Sequence, residues 1–149
     1  MADVQLTDGS LLHLKIMTPS SIVYENDITT LTAPGEYGDI GVLPGHAALL
    51  SNLRIGLMDV ILPDEEKIYF VLNKGFIEIA KDKITILTET AEDAQRIDLT
   101  RAQDSLKRAQ NRIGGPSGDE ELDKERAKDA LMRAKVRIAA AKTSEKFLK

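Results

Sequence analysis

The sequence predicts an all-β N-terminal sandwich carrying a C-terminal α-helical antiparallel hairpin, and three observations lead there. Short runs of β-branched and aliphatic residues, divided by turn residues, fill positions 11–90. Beyond residue 97 the hydrophobic period lengthens from two to alternating steps of three and four. Charge divides at the same place: residues 1–97 carry 7 Lys/Arg against 15 Asp/Glu, net −8, and residues 98–149 carry 13 against 9, net +4. An acidic front joined to a basic tail suggests two units with different partners.

In chain order, the strand-like runs are LLHLKIM, NDITTLTA, LRIGLMDVIL, KIYFVL, GFIEIA and KITILTE. Turn chemistry at Pro63-Asp64-Glu65-Glu66, Asn73-Lys74-Gly75 and Lys81-Asp82 separates the later ones. Ile77 and Ile79 flank Glu78, and Ile84 and Ile86 flank Thr85, the alternation of half-buried strands. Short strands without intervening helices indicate a sandwich or barrel, assigned to residues 11–90. Residues 91–97 are expected to act as a hinge.

The tail, residues 98–149, reads as two helices. Leu99, Ala102, Leu106, Ala109 and Ile113 form one heptad seam, with Asp98 as N-cap. Gly114-Gly115-Pro116-Ser117-Gly118 ends that helix, and a second is expected to open near Asp119, with Glu120 and Glu121 in its first turn. Ala127, Leu131, Ala134, Ile138 and Ala141 continue the spacing, so the pair should fold back as a hairpin. The seam is mostly alanine, and each buried methyl-sized group contributes only about 0.8 kcal/mol. Backbone ordering costs about 1–2 kcal/mol per residue, so a thinly packed hairpin is expected to be able to open.

With Leu99 and Leu106 at heptad position a, Asp98, Arg101, Ser105, Arg108 and Arg112 form a stripe beside the seam. Arg126, Arg133 and Arg137 take the same letters on the second helix, while Lys128 and Lys135 sit on the other flank. In an antiparallel pair the two stripes meet, setting one carboxylate among up to six guanidiniums. Converging guanidiniums suit a phosphate because each can bind two oxygens. Asp98 could then accept from an adenine amino group, with Ile97 or Ala102 against the ring; the competing expectation is a solvated charged flank with Asp98 only a cap.

The stretch APGEYGDIGVLPGHAALL does not read as a phosphate loop: no helix follows its glycines, no GK[ST] appears, and Glu36 and Asp39 would repel an anion. Gly35, Gly38 and Gly45 are expected at tight-turn positions needing positive φ. His46 has no adjacent nucleophile, Ser51 lacks an elbow of glycines, and His13 lies in an alternating strand, so no active site is expected. With no cysteine and two unrelated histidines, no metal site is expected either. Tryptophan is absent and aromatics are few, which argues against a nucleic-acid platform. No run approaches the roughly 20 apolar residues of a membrane span, and the N-terminus lacks a signal-peptide pattern.

From Leu12 to Ala141 the chain closely resembles the epsilon-subunit family of bacterial F-type ATP synthases. The resemblance rests on APGEYGDIGVLPGHAALLSNLRIG, with its G-x-x-G-[IV]-x-P-x-H turn, on GFIEIAKDKITIL, and on the helical hairpin that follows. Residues 1–10 look like an extension outside it, and Ala48 stands where the family often has proline. The resemblance implies a non-catalytic rotor subunit at the cytoplasmic face of the bacterial plasma membrane, membrane-associated only through its complex. Its sandwich would clasp the gamma subunit and rest on the c-ring, with Asp39 and His46 in the c-ring contact. Its hairpin would inhibit ATP hydrolysis when extended toward the alpha and beta subunits. Ile97-Asp98-Leu99-Thr100-Arg101-Ala102 matches the I-D-x-x-R-A motif of members that bind regulatory ATP, and Arg108, Arg133 and Arg137 resemble further basic positions of that site. No cofactor is required by this reading. The alternatives are a free-standing nucleotide sensor on a sandwich platform and, least favoured, an enzyme using His46.

Overall fold

A computed structural model describes residues 10–113 and 120–147. The expected loop at residues 114–118, the second helix's start near Asp119 and the extension up to residue 9 lie outside the described residues.

Ten strands form one sheet folded into a sandwich: β1 (Leu12–Met17), β2 (Ile22–Ile28), β3 (Thr30–Gly35), β4 (Gly38–Val42), β5 (Leu49–Leu53), β6 (Gly56–Ile61), β7 (Lys67–Leu72), β8 (Gly75–Ala80), β9 (Lys83–Thr88) and β10 (Ala91–Asp93). The order is β10-β7-β6-β3-β5-β8-β9-β1-β2, with β4 pairing β3. Pairing is antiparallel except between β1 and β9.

Two of the six expected runs divide. NDITTLTA breaks at Thr29, whose amide donates to the carbonyl of Ile61. LRIGLMDVIL bends at Arg54-Ile55, so β5 pairs with β8 while β6 pairs with β7. This strand crosses between the layers, the usual way a sandwich turns its corner.

The expected turns form. Lys81 and Asp82 both have positive φ, 50° and 62°, and join β8 to β9 in the twist-matched manner of a two-residue hairpin. Gly45 has φ 83° after Pro44, and the amide of His46 donates to the carbonyl of Leu43 at 3.1 Å, a type II turn. Gly35 differs from its expectation: its φ is not positive, and glycine is needed there because a Cβ would lie 2.4 Å from the carbonyl oxygen of Gly38.

Alternation along the strands builds the core. Leu12, Leu14 and Ile16 of β1, Ile77 and Ile79 of β8, and Ile84 and Ile86 of β9 face Leu31, Met58, Val60, Phe70 and Leu72, all buried. Tyr24 lies tilted against Phe70 with ring centroids 5.1 Å apart.

Residues 91–97 are structured here. β10 pairs with β7, and Ala94–Arg96 makes one turn of 3-10 helix capped by the Asp93 side chain on the amide of Gln95. Two helices follow, α1 (Leu99–Ile113) and α2 (Glu120–Phe147). A second apolar cluster holds them to the sandwich: Val71, Ala94, Ile97, Ala102, Ala140 and Ala141, with Leu57, Tyr69, Leu99, Val136 and Ile138 packed around it. The hairpin therefore lies docked beside the sheet.

The seam is as thin as expected. Ala102, Ala109, Ala134 and Ala141 are buried, while Leu106 and Leu131 are half-buried and Ile113 is 48% exposed. A single seam does not describe α2, however. Ala140 and Ser144 are also buried, because α2 is sandwiched between α1 on one flank and β6, β7 and the 3-10 turn on another.

Candidate functional site: an arginine-lined cleft beneath the hairpin

Where both helices meet the end of the sandwich, a cleft of about 420 Å³ opens. α1 contributes Ser105, Arg108, Ala109 and Arg112, and α2 contributes Ala130, Arg133, Ala134 and Arg137. Steps of three and four place each set on one helix face. The third wall is the sandwich: Asn73 from the turn after β7, Thr90 before β10 and Glu92 within it. Alanines occupy the seam, so the volume above it stays open while four guanidiniums rim it.

The cleft is cationic but not uniformly so. Arg137 grips Glu92 through Nε at 3.1 Å and Nη2 at 3.0 Å. Arg108 donates to Ser105 Oγ at 3.0 Å, and that hydroxyl donates in turn to the carbonyl of Arg101 at 2.9 Å. Arg112 and Arg133 form no ion pair among the described residues. Asn73 is 9% exposed; its Nδ2 donates to Glu89, yet its Oδ1 has no partner among the described residues. Two guanidiniums and one buried acceptor without partners among the described residues fit a polyanion that also carries hydrogen-bond donors.

Of the expected site residues, Arg108, Arg133 and Arg137 come together here, joined by Arg112. The others do not line the cleft. Asp98 caps α1, accepting from the amide of Arg101 at 3.0 Å. Arg101 is exposed, Ile97 and Ala102 are buried in the second apolar cluster, and Arg126 is exposed. The carboxylate among the guanidiniums is thus Glu92 rather than Asp98. Glu92 gave no periodic signal, since its three-residue strand is too short to show one. Asn73 was legible only as a turn residue.

A second pair ties the helices to the sandwich: Lys74 Nζ lies 2.5 Å from Asp129 Oδ2. That carboxylate, accepting from the ammonium, holds the Lys74 pKa above its usual value.

Asp39 and His46 lie at different ends of β4. Asp39 is exposed and paired with Arg54 at 2.5 Å, next to the fully exposed tip residue Tyr37. His46 closes the type II turn, and its Nδ1 donates to the carbonyl of Ala47 at 2.6 Å. Among the described residues no helix is long and apolar enough to cross a membrane.

Comparison with known proteins extends this picture. The family model described as ATP synthase, Delta/Epsilon chain, beta-sandwich domain, matches residues 11–94, and its long alpha-helix counterpart matches residues 95–142. An ATP synthase epsilon chain from Pelotomaculum thermopropionicum is 40% identical over 102 residues, covering 68% of this chain and 75% of that one. The epsilon chain of Geotalea uraniireducens is 38% identical over 135 residues, covering 91% and 97%. In fold, the chain is similar to one from the cryo-EM structure of Euglena gracilis mitochondrial ATP synthase, with TM-score 0.77, 22% identity, and coverage of 89% and 84%. A chain from the central stalk and c-ring of the Tetrahymena thermophila enzyme gives TM-score 0.59 at 15% identity, covering 87% and 96%.

Proposed function

Because the chain belongs to the delta/epsilon-chain family of ATP synthases, as a non-catalytic subunit, we propose that it works in the central stalk as a regulator whose hairpin senses nucleotide. The sandwich is the fixed part: it holds the gamma subunit and rests on the c-ring, with Asp39 and His46 in the latter contact. The whole is peripheral, at the cytoplasmic face of the membrane, and held there by its complex. The hairpin is the moving part. Docked, it leaves hydrolysis free; extended along gamma toward the alpha and beta subunits, it blocks hydrolysis.

One observation carries the nucleotide reading: Arg108, Arg112, Arg133 and Arg137 border a single cleft walled by α1, α2 and the sandwich together. Phosphates held there touch all three bodies at once, so the ligand binds the docked state and not the extended one. Its free energy of binding then becomes docking free energy. At a hundred times its dissociation constant such a ligand would favour docking by about 2.7 kcal/mol. The thin alanine seam makes that enough to shift the balance. Arg137 must share its guanidinium with Glu92, whereas Arg112 and Arg133 are available directly.

Titration calorimetry of ATP into the full chain tests the site. Heat is expected from the native sequence, with at least a tenfold loss of affinity in Arg133→Ala. No heat, or no loss on substitution, rejects the site. Hydrolysis by the assembled complex with and without residues 98–149 tests inhibition, and equal rates would count against it. Co-purification with gamma and the c-ring separates this reading from a free-standing nucleotide sensor.

A further inference from the structure

The turn after β7 contains two neighbours that act on the hairpin in opposite senses. Lys74 has φ 52°, a left-handed conformation that glycine adopts more readily. A lysine at that position is explained by its side chain, which reaches Asp129 on α2 at 2.5 Å. The Asp129 carboxylate is only 29% exposed, so the contact is partly shielded from solvent. Asn73 is the contrary neighbour. Its backbone amide donates to the carbonyl of Thr90 at 3.1 Å and its Nδ2 to Glu89 at 2.9 Å, but Oδ1 is buried without a partner among the described residues. Arg108, Arg133 and Ala134 of the hairpin line the same cleft as Asn73, so the docked helices form the wall opposite this turn.

We propose that this turn is a two-signed clasp: Lys74 holds α2 down through Asp129, while Asn73 beside it carries an acceptor that docking leaves unpaired and so favours release. The proposal rests on the reading that the hairpin leaves the sandwich. A carbonyl buried without a donor loses its hydration and gains nothing, and it recovers water when the cover lifts. The ion pair works the other way, and its contribution, like that of Arg137 with Glu92, weakens as salt is added, whereas the unpaired carbonyl's does not. Together they hold the docked and released states near balance, where a ligand in the adjacent cleft can decide between them. Raising ionic strength therefore shifts the clasp toward release.

Amide hydrogen exchange of α2 in the full chain tests the two signs. Lys74→Met and Asp129→Asn should each speed α2 exchange about two- to fivefold, and exchanging the two charges in one double variant should restore part of the loss. Asn73→Leu should slow α2 exchange by about fivefold or more, with the amides of β8 and β9 unchanged. Asn73→Ala, which also removes the orphan acceptor but adds no bulk, is read alongside it in case leucine distorts the turn. Faster or unchanged α2 exchange in both Asn73 variants overturns the clasp, as does no change in Lys74→Met. If α2 exchanges only in step with β8 and β9 in every variant, the hairpin does not leave on its own, and the parent reading falls as well.

Discussion

Val71→Ala tests how the hairpin is attached. Val71 points away from the sandwich core, between the inward-facing Phe70 and Leu72, and is 4% exposed because Ala94, Ile97, Ala102, Ala140 and Ala141 cover it. The substitution removes two methyl groups, about 1.6 kcal/mol at roughly 0.8 kcal/mol each, before any cavity contribution. Since about 1.4 kcal/mol is tenfold in an equilibrium, the ratio of released to docked chains should rise at least tenfold. In the released state Val71 faces water in either sequence, so the sandwich itself should barely notice. Limited trypsin digestion reads the difference, because residues 98–149 hold 13 of the 20 Lys/Arg. Once released, both helices lose the tertiary packing that supplies most helical stability, and they fray, exposing those sites. Cleavage after Lys135 and Lys142 should accelerate in proportion to the open population, while cleavage after Lys15 in β1 stays unchanged. Equal acceleration at both would show one cooperative unit, and no acceleration would show that the apolar patch does not hold the hairpin; either result refutes the reasoning.

Gly35→Ala should destabilise the sandwich by about 2–4 kcal/mol, seen as a lower thermal midpoint, because the new Cβ would meet the Gly38 carbonyl oxygen at 2.4 Å and the Ile40 side chain at 2.9 Å. Asp98→Ala should remove about 1 kcal/mol from the start of α1, speeding exchange of the Arg101 amide that it caps, whereas Asp98→Asn should not. His13 places its two ring nitrogens against carboxylates, Asp27 at 2.8 Å and Glu25 at 3.0 Å, an arrangement in which both nitrogens donate when the ring is protonated. These partners raise the His13 pKa above 6.5, so their support of the β1–β2 edge is complete below 6.5 and lost as pH rises through the folded value. The same contact lowers the Glu25 pKa from 4.5, so its support is complete above 4.5 and lost as pH falls through the folded value. Amide protection along β2, corrected for the intrinsic pH dependence of exchange, should accordingly be greatest between those limits and fall as pH rises through the folded His13 value; His13→Gln should flatten that fall.

The parts legible in the sequence were those with a long period or a tight turn. β8 and β9 alternate cleanly because one face meets the core, and the steps of three and four in α1 survive because one stripe meets α2. The division of LRIGLMDVIL was hidden because its apolar run continues through Arg54-Ile55, where only the pairing partner changes. Arg108, Arg133 and Arg137 could be assigned to one side of the hairpin from heptad letters alone, which depend on helix geometry. The sandwich wall could not. Asn73, Thr90 and Glu92 belong to a turn, a link and a three-residue strand, and nothing local says that two helices later in the chain will wall them in. The sequence leaves Asp98 two roles, cap and base acceptor; the structure shows the cap, because the first amides of α1 need an acceptor there.

The account stands on a hairpin that docks against the sandwich and can leave it. The chain has no cysteine, so a pair introduced at Lys83 on β9 and Lys142 on α2, both exposed, takes spin labels without background. Pulsed dipolar measurement of the label separation in the full chain should give two populations without nucleotide, one short and one long. Saturating ATP should collapse them onto the short one. A single narrow distribution, the same with and without ATP and at every salt concentration, would contradict it.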